Sequence, residues 1–162
     1  MSARVRGLLA RAQGERFRVV QWSLQIDHLH LIVEAGNERD LSRSMAKLNT
    51  GLAKMLNRVA ARKGPVLRER FRQLRTPRET HYALRYVLNN AHKHRILGAG
   101  LDPVSSAVMF DGWRDRDRLP VPPDGSVRPP QTWLLRTGWR RHGLIDVPSR
   151  EADPLAKRYV LT

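Results

Sequence analysis

The sequence predicts an α+β domain organised around an antiparallel sheet, on three observations. Two alternating, β-branched runs, at residues 16–26 and 28–35, are separated only by Asp27. Apolar residues from Leu41 to Val59 recur at helical spacing. The strongest helix start in the chain, "TPRE" at 76–79, follows a third extended, arginine-loaded stretch. Strands and helices that do not alternate as β-α-β units point to an antiparallel rather than a parallel sheet.

Taken in order, residues 3 to about 15 read as a helix ending near Gly14. "RFRVVQWSLQI" then alternates, with Phe17, Val19, Gln21, Ser23 and Gln25 on one face and Arg18, Val20, Trp22, Leu24 and Ile26 on the other. "HLHLIVEA" is the second strand, joined to the first by a tight connection at Asp27. The helix through Leu41, Met45, Leu48, Leu52, Met55, Leu56 and Val59 takes Asp40 as its N-cap and stops by Gly64-Pro65. "VLRERFRQLR" returns to an extended pattern as a third strand. Thr76 then caps a helix with Pro77 in the first position and Glu79 completing a capping box; it runs to about Leu97, ahead of Gly98 and Gly100. After Leu101 the character changes: "RLPVPPDGSVRPPQ" is a Pro-rich linker, and "TWLLRTGWRRHGLI" is a short aromatic and basic element.

Composition narrows the function classes. The 162 residues contain no cysteine, which excludes disulfides and Cys-based zinc sites and suits a reducing cytoplasm. No run approaches the ~18 apolar residues of a membrane span. Thirty Lys and Arg against fifteen Asp and Glu leave a net charge of +15, an attractor for polyanions, of which nucleic acid is the first candidate. Much of that excess lies between Glu38 and Leu97, with fifteen Lys and Arg against four Asp and Glu. A small basic protein with a merely solvated surface would show the same totals.

Two features carry specific chemistry. Side chains two apart on a strand point the same way, so His28 and His30 share a face with Ile32 while Leu29, Leu31 and Val33 cover the other. Two parallel imidazoles can hold a divalent metal ion, although an isolated His-x-His is more often a pair of surface or satisfied histidines. On the helix from Thr76, Leu84, Val87, Leu88 and Ala91 form the apolar stripe, and Tyr82, Tyr86 and Asn90, four apart, form a row on another side. An exposed Tyr beside an exposed Asn is the plain alternative.

Together, "DHLHLIVE", the basic amphipathic helix, the arginine-rich stretch, "LRYVLNNAHKHRIL" and "DPVSSAVMFDGW" resemble the IS200-like single-tyrosine HUH transposases, and within them the REP-associated branch. The resemblance spans about residues 15–110. It implies a ferredoxin-like antiparallel sheet with helices on one face, in a domain of residues 1–110, followed by a Pro-rich basic tail over 111–162. It implies Tyr86 as nucleophile; His28, His30 and Asn90 as ligands of Mg²⁺ or Mn²⁺; and single-stranded or hairpin DNA, with a possible second copy of the chain, as partners. Asp27 stands where many members have Asn, and Ala91 where they have Pro. Arg43, Lys47, Lys54, Arg58, Arg68, Arg70, Arg72 and Arg75 are the candidates to grip phosphates or a hairpin stem, each alternatively part of a solvated face. The family's order is β-α-β-β-α-β, so the resemblance implies a strand before the first helix that this sequence does not supply. A misassigned start, a truncated remnant, or replacement beside the histidine strand by "TWLLRTGWRR" or a second subunit are the alternatives.

The expected reaction is metal-dependent cleavage and rejoining of single-stranded DNA through a 5′-phosphotyrosine. Two alternatives stand beside it: a decayed or domesticated relative that binds DNA without cutting, and an unrelated basic RNA-binding protein.

Overall fold

The computed structural model describes residues 2–25, 28–61, 63–64, 70–93, 100–115 and 120–147. Helix α1 (Ser2–Ala12) leads into a hairpin of β1 (Phe17–Leu24) and β2 (Leu29–Ala35), followed by α2 (Glu38–Val59), α3 (Pro77–Leu88) and the short α4 (Asn90–Lys93). A 3₁₀ turn at Ala107–Met109, a single helical turn α5 (Trp133–Arg136) and a second 3₁₀ turn at Gly138–His142 complete the order. The class is α+β with an antiparallel sheet, as the patterning requires, and among the described residues that sheet has two strands. No helix among them is long and apolar enough to cross a membrane.

Strict alternation along β1 fails at one residue. Val19 pairs with Val33 and Gln21 with Ile32, leaving Val20 as an extra residue in a bulge. The bulge shifts parity, so Phe17 and Val19 share their apolar layer with Trp22, not with Gln21 and Ser23. Without it, two polar side chains would sit beneath α1 and α2, where each would need a hydrogen-bond partner.

The two faces of the hairpin are both covered, which corrects the expectation of helices on one face. At the back, Val5 and Leu9 of α1 and Met45, Leu48 and Leu52 of α2 pack on Phe17, Val19 and Trp22, flanked by Leu29, Leu31 and Val33. At the front, Leu84, Val87 and Leu88 of α3 join Val20, Ile32, Ala107, Phe110, Trp113, Leu135, Trp139 and Ile145. The boundary expected at residue 110 therefore passes through one core. "TWLLRTGWRR" makes helical turns against α3 rather than a strand.

No described strand pairs with the free edge of the histidine strand, whereas the outer edge of β1 is covered by loops. Ser106 donates its N–H to the Trp22 carbonyl (2.9 Å), Leu24 donates to the Val104 carbonyl (3.0 Å) and Arg128 to the Val19 carbonyl (2.9 Å). The Trp22 N–H donates to Ser106 Oγ (2.9 Å), and the Val19 N–H to Gln13 Oε1 (2.9 Å). An edge strand left unpaired invites aggregation, and these loops blunt it. At the far end of β2, the Glu34 carboxylate accepts from the N–H groups of Gln131 (2.7 Å) and Thr132 (2.9 Å), pinning the start of α5 to the sheet.

Several local expectations change. Asn37, not Asp40, caps α2, accepting from the Asp40 N–H (2.9 Å), which places Asp40 inside the first turn. Asn can cap here because its extended backbone lets the side-chain oxygen reach back over the turn. The capping box at Thr76 and Glu79 forms as expected. Residues 70–75 carry no ladder pairing and form no strand, while 65–69, including Arg68, lie outside the described residues. The helix expected to run to Leu97 breaks at Asn89, whose Nδ2 donates to the Asp146 carbonyl (3.5 Å), a side-chain-to-backbone bond of the kind that competes with helix continuation.

Candidate active site

The hairpin and α3 bring the two histidines to the tyrosine. The connection closes with a hydrogen bond from the Gln25 N–H to the His28 carbonyl (2.8 Å); Ile26 and Asp27 lie outside the described residues. His28 and His30 follow on the front face, their ring centroids 4.5 Å apart and edge to face. The apolar stripe Leu84, Val87 and Leu88 seats α3 against the same face. Tyr86 thereby meets the His30 ring edge to face, at 5.1 Å between centroids. The contact is made within a single chain.

Beneath the histidines lies a buried polar layer. Ser23 is the cross-strand partner of His30. Its hydroxyl accepts from Gln25 Nε2 (2.8 Å) and donates to Asp102 Oδ2 (3.5 Å). Ser105 Oγ donates to the Asp102 carbonyl (2.8 Å), and Ser106 Oγ to Gln21 Oε1 (2.5 Å). These bonds tie Ser23, Gln25, Asp102, Ser105, Ser106 and Gln21 together beside His30, although Gln25 Oε1 finds no partner among the described residues.

Asn90 departs from the expected row. Tyr82 and Tyr86 are 37% and 38% exposed, but the break at Asn89 turns Asn90 inward, to 1% exposure. Neither its Oδ1 nor its Nδ2 finds a hydrogen-bond partner among the described residues. A buried carboxamide in that state costs about 1–3 kcal/mol, which ligation would recover. No group of three His, Cys, Asp or Glu residues suited to a metal occurs among the described residues. Of the residues expected to hold a metal ion, His28 and His30 stand together at the start of β2, and Asn90 is a buried carboxamide one turn beyond the tyrosine.

Burial pushes the Tyr86 phenol above its ordinary value, so the resting hydroxyl is held protonated. The basic candidates divide. Arg70, Arg72 and Arg75 are exposed on the approach to α3, where Arg72 lies 3.5 Å from Glu79. The backbone N–H of Arg75, followed by those of Thr76 and the Arg72 side chain, holds the Glu79 carboxyl below its ordinary value. Arg43, Lys47, Lys54 and Arg58 lie on the exposed side of α2, across the sheet from Tyr86. There Arg43 and Lys47 line a groove with Arg11 and Arg16 of the α1 end. The histidines and tyrosine are brought together; the cations of α2 are not brought to them.

Two features escaped the sequence. Arg78, one turn before Tyr82, places its guanidinium over the Tyr82 ring at 5.7 Å; the four-residue spacing was the available signal. His81 meets His142 (6.0 Å) and Trp139 (6.1 Å), residues too distant in the chain for any spacing rule to connect. No family model, curated protein or solved structure matches the chain.

Proposed function

We propose that the protein is a metal-dependent nuclease and strand transferase acting on single-stranded or hairpin DNA, of the single-tyrosine HUH kind. The observation that carries this reading is the meeting of Tyr86 on α3 with His30 of β2, which in turn packs on His28 at the start of that strand, in a strongly basic chain.

Tyr86 Oη attacks the scissile phosphorus, the P–O3′ bond breaks, and the 3′ oxygen leaves as a hydroxyl after taking up a proton. The product is a 5′-phosphotyrosine. A second 3′-hydroxyl reverses the step, restoring a phosphodiester and returning the phenol, so no nucleotide triphosphate is consumed. His28, His30 and Asn90 are the residues that would hold the ion, which supplies Lewis-acid polarisation and alignment of the phosphate. Nitrogen donors make Mn²⁺ a better match than Mg²⁺. Burial raises the phenol pKa, and the reactivity of Tyr86 increases with pH as the phenolate fraction grows. The exposed Arg70, Arg72 and Arg75 supply phosphate contacts on the approach to α3.

The test is a denaturing gel of the protein mixed with labelled hairpin oligonucleotides and Mn²⁺. A covalent adduct is expected, lost in Tyr86→Phe by at least three orders of magnitude in rate, about 4 kcal/mol, and lost in His28→Ala. Tight DNA binding without an adduct would overturn the nuclease reading in favour of a DNA-binding remnant. Metal-independent binding of RNA with no preference for DNA would replace both.

A further inference from the structure

On α3, Arg78, Tyr82 and Tyr86 are spaced four apart, so they rise along one side of the helix a turn at a time. Each turn advances ~5.4 Å, a step that one nucleotide of an extended strand can span. Tyr82 is 37% exposed although it is a large aromatic residue, and its ring lies beneath the Arg78 guanidinium at 5.7 Å. The apolar stripe of α3 is on another side, in the front core, and Tyr82 lies outside it, meeting the His81 ring at 6.0 Å. An aromatic face paired with an arginine offers a base a stacking surface and its phosphate a cation, the combination by which proteins hold single-stranded nucleic acid. The surrounding charge fits only an anionic occupant: Arg72, Arg75 and Arg78 are exposed along the approach, and the one carboxylate among them, Glu79, is taken up by the capping box.

We infer that Tyr82 is a stacking platform for the nucleotide adjoining the phosphate at Tyr86, with Arg78 holding that nucleotide's backbone. The inference rests on the reading of Tyr86 as nucleophile for its register, but stacking itself requires no cleavage. The platform grips one base as the strand crosses α3, so the nucleotide next to the scissile phosphate contributes to affinity regardless of pairing elsewhere. Since every base has a π-face, this contribution tolerates sequence.

The experiment uses the full chain and a single-stranded oligo-dT 20-mer, plain or carrying one 5-iodouracil, a base that crosslinks under ultraviolet light to aromatic rings stacked on it. Trypsin separates the two tyrosines, because cleavage after Arg78, Arg85 and Lys93 puts Tyr82 in residues 79–85 and Tyr86 in 86–93. The expected light-dependent crosslink falls in 79–85. Tyr82→Leu abolishes it and weakens binding about tenfold, ~1.4 kcal/mol; Tyr82→Phe retains both. Arg78→Gln lowers affinity and reduces the salt dependence by about one phosphate contact.

A Tyr82→Leu protein that binds as tightly as the parent, or a crosslink that maps elsewhere, overturns the platform. The light-independent adduct at Tyr86 is scored on the hairpin oligonucleotides in parallel. An adduct with no crosslink at 79–85 removes the platform and leaves the nuclease reading, whereas the crosslink without an adduct supports the platform and removes the nuclease.

Discussion

Behind the hairpin, Val5, Leu9, Met45, Leu48 and Leu52 reach the sheet from two helices whose apolar residues recur every three or four positions. In front of it, Val20, Ile32, Leu84, Phe110, Trp113, Leu135, Trp139 and Ile145 are gathered from six separate stretches of chain. The back core contains no buried ionisable group and needs only helix periodicity to form. The front core includes a buried serine, glutamine and aspartate layer, and it carries His28, His30 and Tyr86 at its margin. The contrast teaches that the side carrying the histidine and tyrosine cluster is the one assembled from distant segments, while the other side is encoded locally.

Trp22 gives the largest test of that division. It is fully buried in the back core, its indole N–H donates to Ser126 Oγ (3.0 Å), and the Arg6 guanidinium lies 4.8 Å from its ring. Trp22→Ala should cost ~3–5 kcal/mol in urea denaturation. A loss below ~1 kcal/mol would mean that the back core is not packed as described.

Ser106 tests the seam between the two regions at smaller amplitude. Its hydroxyl takes the Trp22 N–H and donates to Gln21, so Ser106→Ala strands two buried groups and should cost ~1–3 kcal/mol. The exposed Ser42→Ala on α2 should fall within about 0.5 kcal/mol of the parent. Equal effects at the two serines would dissolve the seam.

The smallest effect is a pH dependence confined to the front. Burial, and then the neighbouring His142, hold His81 below its ordinary value; Arg85 acts in the same direction, while a hydrogen bond with the Trp139 backbone and the Asp146 charge oppose them. Because the folded protein binds this proton less readily than the unfolded chain, the stability it contributes is present above the unfolded value near 6.5 and is lost as pH falls through the lower folded one. The melting temperature should therefore drop between about pH 7 and pH 5. His81→Gln should flatten that drop, and a profile unchanged by the substitution would remove His81 as its source.

What could be read in advance follows the same line. The hairpin, α2 and the start of α3 were legible because each depends on neighbours in sequence: alternation, helical spacing, a capping box. His28 and His30 could be placed on one face with Ile32 for the same reason. The bulge at Val20 could not, since one inserted residue leaves the composition of the strand unchanged while reversing its faces beyond that point. Nor could the burial of Asn90, which follows a helix end at Asn89, where the side chain bonds to a carbonyl 57 positions away. The closure of β1 by Ser105, Ser106 and Arg128 was hidden because neither the segment after Asp102 nor the Pro-rich stretch has a periodicity to betray its docking.

That closure also sets an order of events during synthesis. By the time Tyr86 leaves the ribosome, both strands and the first two helices have been delivered, yet the carbonyls of Val19 and Trp22 still await partners at positions 128 and 106. Contacts separated by 84 to 109 residues form late and slowly, because a long stretch of chain must close before any of them contributes. The hairpin therefore spends part of its birth with one edge open to other chains, and the Ser105–Ser106 segment together with the Pro-rich stretch that looks like a trailing linker ends that exposure.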